Sequence, residues 1–337
     1  MAHNKHILVI RLSAMGDVAM SVPVIAALCK QYPQLKVTVL TRPFFAPFFR
    51  HLPQVHVFNA DLKGKHKGVL GLYKLAKALK KQDVSVVADL HRVLRSYILR
   101  LFFLRYPFVQ IDKGRKDKRA LVSGRCFKAL KTTHQRYADV FANLGYPVNL
   151  SCPDFPAKVE LSEAILKIVG PTSKKIIGIA PFAAHQGKMY PIDLMEQVID
   201  ALSKKYTVLL FGGGAKEVGI LKSLEKKSVI SVAGQLNLNQ ELDVMSNLDV
   251  MLAMDSGNAH MAAMLGVKVV TVWGVTHPFA GFSPFNQPEN YALTANRTLF
   301  PKIPTSIYGN TFVAGYEKAS SSILPETIIS KIETVLN

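Results

Sequence analysis

Short apolar runs alternate along the chain with amphipathic stretches. Residues 7–10 are uniformly apolar and short enough for a strand buried on both faces. Residues 18–31 then show helical spacing, with Pro23 placed early. Residues 37–40 and 55–58 read as further strands. Residues 70–81 form an amphipathic pattern with Lys74, Lys77, Lys80 and Lys81 on the wet side. Residues 84–88 predict a fourth strand and 93–103 another helix. β-branched runs separated by helices imply a parallel sheet, an α/β fold. Pro147, Pro153 and Pro156 cluster around 149–157, which reads as a linker. The pattern then restarts, with strands at 176–180, 208–211, 229–232, 250–254 and 267–274 and a helix at 192–204. Residues 283–318, rich in Pro, Asn, Tyr and Thr, read as loop. Pro325 and Glu326 suit the first turn of a closing helix over 325–336. Two successive α/β halves predict two Rossmann-like domains, 1–157 and 158–318, with a cleft between them and a C-terminal helix within 319–337.

The length of 337 residues suits two domains, and an apolar content of 49% allows large cores. Cys29, Cys126 and Cys152 are isolated, without metal or redox spacing, and an odd, sparse count fits a reducing, cytoplasmic compartment. His3, Lys5 and His6 precede the first apolar run, but Arg11 and Asp17 interrupt it too early for a secretory segment. The longest apolar stretch, 97–109, is broken by Arg100 and Arg105 and falls short of the ~18 residues of a spanning helix. A soluble or peripheral protein is expected.

Charge changes the picture more. The net charge is +19, and residues 1–157 hold 26 Lys/Arg against 8 Asp/Glu, a net of +18. Residues 158–337 hold 16 against 15. Such segregation predicts a polyanionic partner for the first half: nucleic acid, an anionic membrane or a phosphorylated glycolipid.

Four segments carry candidate chemistry. Arg11-Leu-Ser-Ala-Met-Gly-Asp17 leaves the first strand and opens a helix, where free amides and the helix dipole favour an anion. Asp17 fits either a catalytic carboxylate or a cap on a helix beginning near Val18. His185-Gln-Gly-Lys188 lies in a strand-to-helix loop, where Lys188 is either a point charge for a diphosphate or an ordinary solvated lysine. Phe211-Gly-Gly-Gly-Ala-Lys-Glu217 fails the dinucleotide fingerprint at its sixth position, which argues against an NAD enzyme. Met254-Asp-Ser-Gly-Asn-Ala-His260 places Asp255, Ser256 and Gly257 in a polar nest at a helix start, followed by the turn Thr276-His-Pro278. The ten histidines are dispersed, so no metal site is expected.

In their order and spacing these segments resemble glycosyltransferase family 9, the ADP-heptose:lipopolysaccharide heptosyltransferases. The resemblance runs through most of the chain. It rests on Ser-Ala-Met-Gly-Asp17 with Pro23, Ala88-Asp-Leu-His91 with Arg95-Ser96, Lys188 with Pro191, Gly212 to Glu217, and Asp255-Ser-Gly-Asn-Ala-His260 with Gly274, Thr276 and Pro278. It implies a GT-B architecture, with the acceptor on the first domain, the donor on the second, and a last helix that returns to the first domain. It also implies an inverting transfer with no metal and no cofactor beyond the nucleotide-sugar substrate. Asp17 would be the general base. Ser13, Lys188, Glu217, Asp255, Ser256, Gly257, His260 and Thr276 would bind the donor.

Tyr190 stands where the family often has Trp, and Val275 replaces a common Pro, so donor identity is less constrained than fold. The implied acceptor, the Kdo-lipid A inner core, is anionic and membrane-borne. Arg92, Arg95, Lys113, Arg115, His134 and Arg136 are candidates to contact it, in a monomer peripheral to the inner face of a bacterial inner membrane. Alternatives are a GT-B enzyme for another nucleotide sugar and another envelope glycan, a non-enzymatic polyanion-binding protein, and an inactive family member. Nucleic-acid motifs are absent from the sequence, so nucleic acid is not expected as a partner. The charge distribution predicts that the protein floats with anionic vesicles and is released by high salt; absent or salt-insensitive binding would contradict that expectation.

Overall fold

A computed structural model describes residues 6–311 and 313–337; His3 and Lys5 lie outside the described residues. In chain order the elements are β1 (His6–Ile10), α1 (Met15–Gln31), β2 (Lys36–Thr41), β3 (Val55–Asn59), α2 (Gly68–Lys80), β4 (Val86–Asp89), α3 (Leu94–Phe102), β5 (Phe108–Gln110), α4 (Arg115–Val122) and α5 (Thr133–Asn143). There follow α6 (Glu163–Val169), β6 (Ile176–Ala180), α7 (Ile192–Ser203), β7 (Thr207–Leu210), α8 (Ala215–Ser223), β8 (Val229–Ser231), α9 (Leu238–Ser246), β9 (Val250–Met254), α10 (Gly257–Met264), β10 (Lys268–Trp273), β11 (Ala292–Thr294) and α11 (Pro325–Leu336).

Two compact units emerge. One is the chain up to Lys113 together with Thr133–Asp154; the other is Gly114–Thr132 with Phe155–Asn337. The first holds a parallel sheet in the order β3-β2-β1-β4-β5, and the second one in the order β11-β10-β9-β6-β7-β8. The apolar runs become strands because helices cover both sheet faces: β1 and β9 are buried along their whole length. In the first unit, Leu72, Leu75, Ala76 and Leu79 of α2 and Leu99 of α3 close one face over Leu8, Ile10 and Val87. The two-sheet α/β architecture is as expected.

The division of the chain differs from the expected one. Residues 114–132, assigned to the first half by sequence, belong to the second unit. Leu130 N–H donates to the Phe279 carbonyl at 2.9 Å, and the Lys118 ammonium lies 4.0 Å from the Phe282 ring centroid. That segment carries seven Lys/Arg and one Asp, so the charge divides less sharply than along the sequence. The first unit holds 19 Lys/Arg against 7 Asp/Glu, a net of +12, and the second 23 against 16, a net of +7.

The boundary at Asp154–Phe155 has a simple cause. Lys30 pairs with Asp154 at 2.5 Å, and Gln31 exchanges hydrogen bonds with Asn149, tying this strap to the end of α1. Phe155 instead packs beside Phe285 and over Gly266, where a Cβ would meet its ring at 2.7 Å.

Two further differences concern elements. α1 begins at Met15, three residues before the expected start, which puts Asp17 inside the first turn. The expected loop 283–318 contains β11, which pairs with β10 from Thr271↔Ala292 to Trp273↔Thr294; three residues are too few to show a period, and the edge of β10 recruits them. The C-terminal helix belongs to the second unit. Ile328, Ile332, Val335 and Leu336 share one core with Met195, Val198, Ile199 and Leu202 of α7. Lys175 and Lys268 donate to the carbonyls of Leu336 and Val335, satisfying acceptors that a helix end leaves open.

Because Ile332 is fully buried in that core, Ile332→Ala should destabilise the second unit by ~2–5 kcal/mol in urea unfolding. A change below ~0.5 kcal/mol, typical of exposed positions, would show that α11 is not part of the core.

Candidate functional site

In an open parallel sheet, side chains converge where successive crossovers leave in opposite directions, outside the carboxyl ends of the strands. In the first unit that point lies between β1 and β4, where Ile10 pairs with Asp89. In the second it lies between β6 and β9, where Ala180 pairs with Ala253.

At the first switch point, Arg11 follows β1 and is buried. Its Nη1 donates to the Leu90 carbonyl at 2.6 Å, and its Nη2 is ion-paired with the Asp17 carboxylate. Asp17 sits at the third helical position of α1 and accepts from the Ala14 amide at 3.3 Å. Its side chain remains 31% exposed, so it is both a cap and an accessible carboxylate. The Tyr137 hydroxyl donates to the Asp17 backbone carbonyl at 3.3 Å and its ring lies 5.9 Å from the Arg11 guanidinium, pinning the turn from α5.

The neighbouring strand end is built by Asp89, which is wholly buried. Its Oδ1 accepts from the amides of His91 and Arg92, both at 2.9 Å, and its Oδ2 from Gln110 at 2.8 Å. Arg92 is thereby held in the left-handed region, φ 47°, which few non-glycine residues adopt. Its guanidinium reaches the Tyr97 hydroxyl and the Ile111 carbonyl. His91 Nε2 lies 3.5 Å from Ser13 Oγ, while its Nδ1 is buried without a hydrogen-bond partner. Burial, and then the Arg11 and Lys113 cations, push the His91 imidazole down to about 3, so it is neutral at physiological pH.

At the second switch point, Lys188 Nζ and Asp255 Oδ2 lie 2.8 Å apart, and Thr276 Oγ1 donates to the same oxygen at 3.0 Å. Asp255 and Thr276 are buried, and the Lys188 side chain is mostly so. The lysine stem runs over Gly309, where a Cβ would come within 2.6 Å of Lys188 Cγ. Gly274 is equally constrained, since a Cβ there would approach the Gly187 carbonyl to 2.5 Å. The Val275 amide donates to the same carbonyl at 2.9 Å, a bond that a proline at this position could not make.

Ser256 caps α10 without a side-chain bond to the helix, and its Oγ is buried with no partner. Gly257 opens the helix and His260 is buried within it. An ammonium, two hydroxyls and the amides of a helix start together make a receptor for phosphate oxygens.

The remaining candidates are more scattered. Glu217 lies at the start of α8, where its carboxylate accepts from the Gly213 amide at 2.8 Å. Ser13 lies in the first unit, and the other proposed donor residues belong to the second. Arg92, Arg95, Lys113, His134 and Arg136 are in the first unit, whereas Arg115 belongs to the second. Arg95 and Arg115 are exposed, but His134 and Arg136 are buried, and Arg136 is held by the carbonyl and carboxylate of Asp112. Tyr190 is buried and donates to the Ile323 carbonyl at 2.6 Å, a structural use of that position.

Sequence reasoning placed Arg11, Asp89 and His91 within its motifs but gave none of the three a role of its own. It named His277 only as part of the turn from Thr276 to Pro278; in the structure its Nδ1 accepts from the Phe279 amide at 3.1 Å beside Phe127. Burial, then Arg297, push the His277 imidazole down to about 4. No group of three or more His, Cys, Asp and Glu among the described residues is placed to hold a metal ion.

Comparisons with known proteins bear on the family and the fold. The model of glycosyltransferase family 9 (heptosyltransferase) matches residues 72–299. The lipopolysaccharide core heptosyltransferase OpsX of Haemophilus influenzae is 25% identical over 299 residues, 85% of this chain and 83% of that one. A glycosyl transferase family 9 structure from Veillonella parvula superposes with a TM-score of 0.76 at 20% identity, over 100% of this chain and 98% of that one. The Escherichia coli ADP-heptose lps heptosyltransferase II structure gives 0.70 at 20% identity, over 98% of each chain.

Both depressed imidazoles carry a stability signature. Their folded values lie below the ~6.5 of a free histidine, so the unfolded chain binds more protons and stability falls as pH drops from 7 toward 5. Each contributes a loss of about 2 kcal/mol by pH 5. Urea unfolding at both pH values should show this loss, with His91→Gln abolishing its share; an unchanged pH slope in that variant would mean the imidazole is not held neutral.

Proposed function

The chain belongs to glycosyltransferase family 9, the heptosyltransferase family, and we propose that it transfers heptose from ADP-heptose to the Kdo-containing inner core of lipopolysaccharide. It is a glycosyltransferase of GT-B fold, whose two Rossmann-like domains are the two sheet units. The observation that carries the donor reading is the Lys188–Asp255–Thr276 cluster beside the unpartnered Ser256 hydroxyl at the start of α10. In this reading Lys188 neutralises the diphosphate, Ser256, Gly257 and Thr276 bind its oxygens, and Asp255 holds the Lys188 ammonium in place. His260 lies on the same helix and contacts the donor sugar. Glu217 exchanges its Gly213 amide for a nucleoside hydroxyl, and Ser13 is a further donor contact.

Asp17 is the proposed general base. It takes the proton of the acceptor hydroxyl as that oxygen forms a bond to the anomeric carbon. The bond from that carbon to the diphosphate oxygen breaks on the opposite face, the configuration inverts, and ADP leaves with the electron pair. Arg11 fixes the direction of the carboxylate. Arg92, Arg95, Lys113 and Arg115 are proposed contacts for the anionic acceptor or its membrane. The burial of His134 and the engagement of Arg136 with Asp112 favour supporting roles for those two. The net +12 of the first unit supports a peripheral position on the cytoplasmic face of the inner membrane.

ADP-heptose and the lipopolysaccharide core are named for the relatives, which supports this choice of donor and acceptor; UDP- and GDP-sugars are the competing donors. ADP-heptose at ~100 times its dissociation constant should stabilise the protein by ~2.7 kcal/mol. UDP- and GDP-sugars should not. Asp17→Asn should keep that stabilisation and lose turnover by ~100-fold or more. Stabilisation only by UDP- or GDP-sugars would discard heptose. An active Asp17→Asn would discard the base.

A further inference from the structure

The first unit presents a surface that neither the sheet core nor the proposed site uses. On α3, Leu94, Tyr97 and Leu101 recur at helical spacing and point outward, and Leu104 follows just past the helix end. On α2, Val69, Leu70 and Tyr73 do the same. These seven side chains are between 41% and 79% exposed. The two helices pack side by side, and Tyr73 meets Phe102 edge-on at 5.5 Å, so the apolar positions adjoin across the helix pair. Near the end of α3, Leu101, Phe102, Leu104 and Tyr106 line an open groove of about 590 Å³, whose cations are Lys80 and Arg105. Lys80 lies over the Phe103 and Tyr106 rings, its charge held at the groove edge.

Charge frames this apolar face without exception. Residues 62–82 contain seven lysines and residues 90–111 four arginines, and neither stretch contains Asp or Glu. Exposed leucines are costly in water and mark a contact surface when they cluster. Aliphatic tips surrounded by cations fit the boundary between acyl chains and anionic headgroups, which gains from both apolar burial and electrostatic attraction. Nucleic acid would satisfy the cations but offers nothing to Leu101 and Leu104.

We propose that the outer face of α2 and α3 docks the protein on an anionic phospholipid bilayer, with Leu70, Leu101 and Leu104 entering the interface and Lys77, Lys81, Arg100 and Arg105 meeting headgroups. This deepens the peripheral-membrane part of the function proposed above and rests on it. α3 follows directly on the turn that bears His91 and Arg92. The same face therefore sets the end of β4 close to the surface in which an anionic glycolipid is anchored.

The test is flotation of the full chain with vesicles of phosphatidylcholine alone and of phosphatidylcholine mixed with phosphatidylglycerol. Wild-type protein should float only with the mixed vesicles. Leu101→Ser/Leu104→Ser, which changes no charge, should lower the bound fraction about tenfold or more while retaining affinity for heparin, a soluble polyanion. Lys77→Gln/Lys81→Gln should lower both. Leu299→Ser, at an exposed position in the second unit, should float as wild type. Circular dichroism confirms that each variant folds, and turnover on a delipidated, water-soluble acceptor should be unchanged in all of them.

If wild type floats and the leucine pair floats equally, the docking face is wrong while the membrane reading stands. If the leucine pair loses heparin binding in parallel, the surface is a polyanion site and the proposal is overturned. If wild type binds no anionic vesicle, the face and the peripheral location both fall, and turnover on the soluble acceptor still decides the transferase reading.

Discussion

Both halves of the molecule depend on one topological constraint. A parallel sheet whose crossovers diverge from a central strand pair leaves the carboxyl ends of those two strands uncovered by any connection. In the first unit the uncovered ends bear Arg11 and Asp89, and in the second they lead to Lys188 and Asp255. All four are buried or nearly so. Burying such charges is tolerable only with partners, which each has: Arg11 with Asp17, Asp89 with two amides and Gln110, and Lys188 with Asp255 and hence Thr276. The sites are thus consequences of how the sheets are wound.

The two units solve the same problem with opposite signs. At the first switch point a buried cation ends the strand and a carboxylate faces outward from the helix start. At the second the carboxylate is buried and the cation comes in over it from a loop. The second arrangement leaves ammonium protons, a serine hydroxyl and helix amides open, which suits an anion. The first leaves a carboxylate 31% exposed, which suits accepting a proton. The Lys188 loop is positioned by close backbone approach: Gly309 and Gly274 have no room for a side chain, and the Val275 amide fastens the loop to the end of β10. A departure from the family's usual proline therefore contributes a hydrogen bond of its own.

How much of this could be read from the chain follows from what each feature depends on. The central strands and α2, α7 and α11 were legible because buried runs and amphipathic faces leave a period. Asp17, Lys188 and Asp255 were legible because each follows an apolar run and precedes a helix. What the sequence did not disclose depends on contacts far along the chain. β11 is three residues long and exists because β10 has a free edge. Residues 114–132 carry a charge typical of the first half yet are held to the second unit by Leu130, Phe127 and Lys118. The apolar face of α11 states that it is buried but not against what, and within the second unit α7 supplies the answer. His91 and His277 stood within named motifs, but that each is held neutral follows from burial, which the chain alone does not show.

The structure also removes the opposition between Asp17 as cap and Asp17 as base. Ala14 is the N-cap of α1 and its side chain has no acceptor, so the carboxylate at the third helical position is what satisfies its amide. The same carboxylate neutralises a guanidinium that would otherwise lie buried and unpaired. A residue with two structural obligations has a fixed direction, and fixed direction is what a general base requires, because proton transfer demands a set distance to the acceptor hydroxyl. Truncation to alanine would strand Arg11 and loosen the helix start together, so lost activity in such a variant would say little about chemistry. Asparagine keeps an acceptor oxygen for both partners but removes the charge that neutralises Arg11 along with the capacity to take a proton, so the thermal stability of that variant, read beside its turnover, separates the two roles where truncation would not.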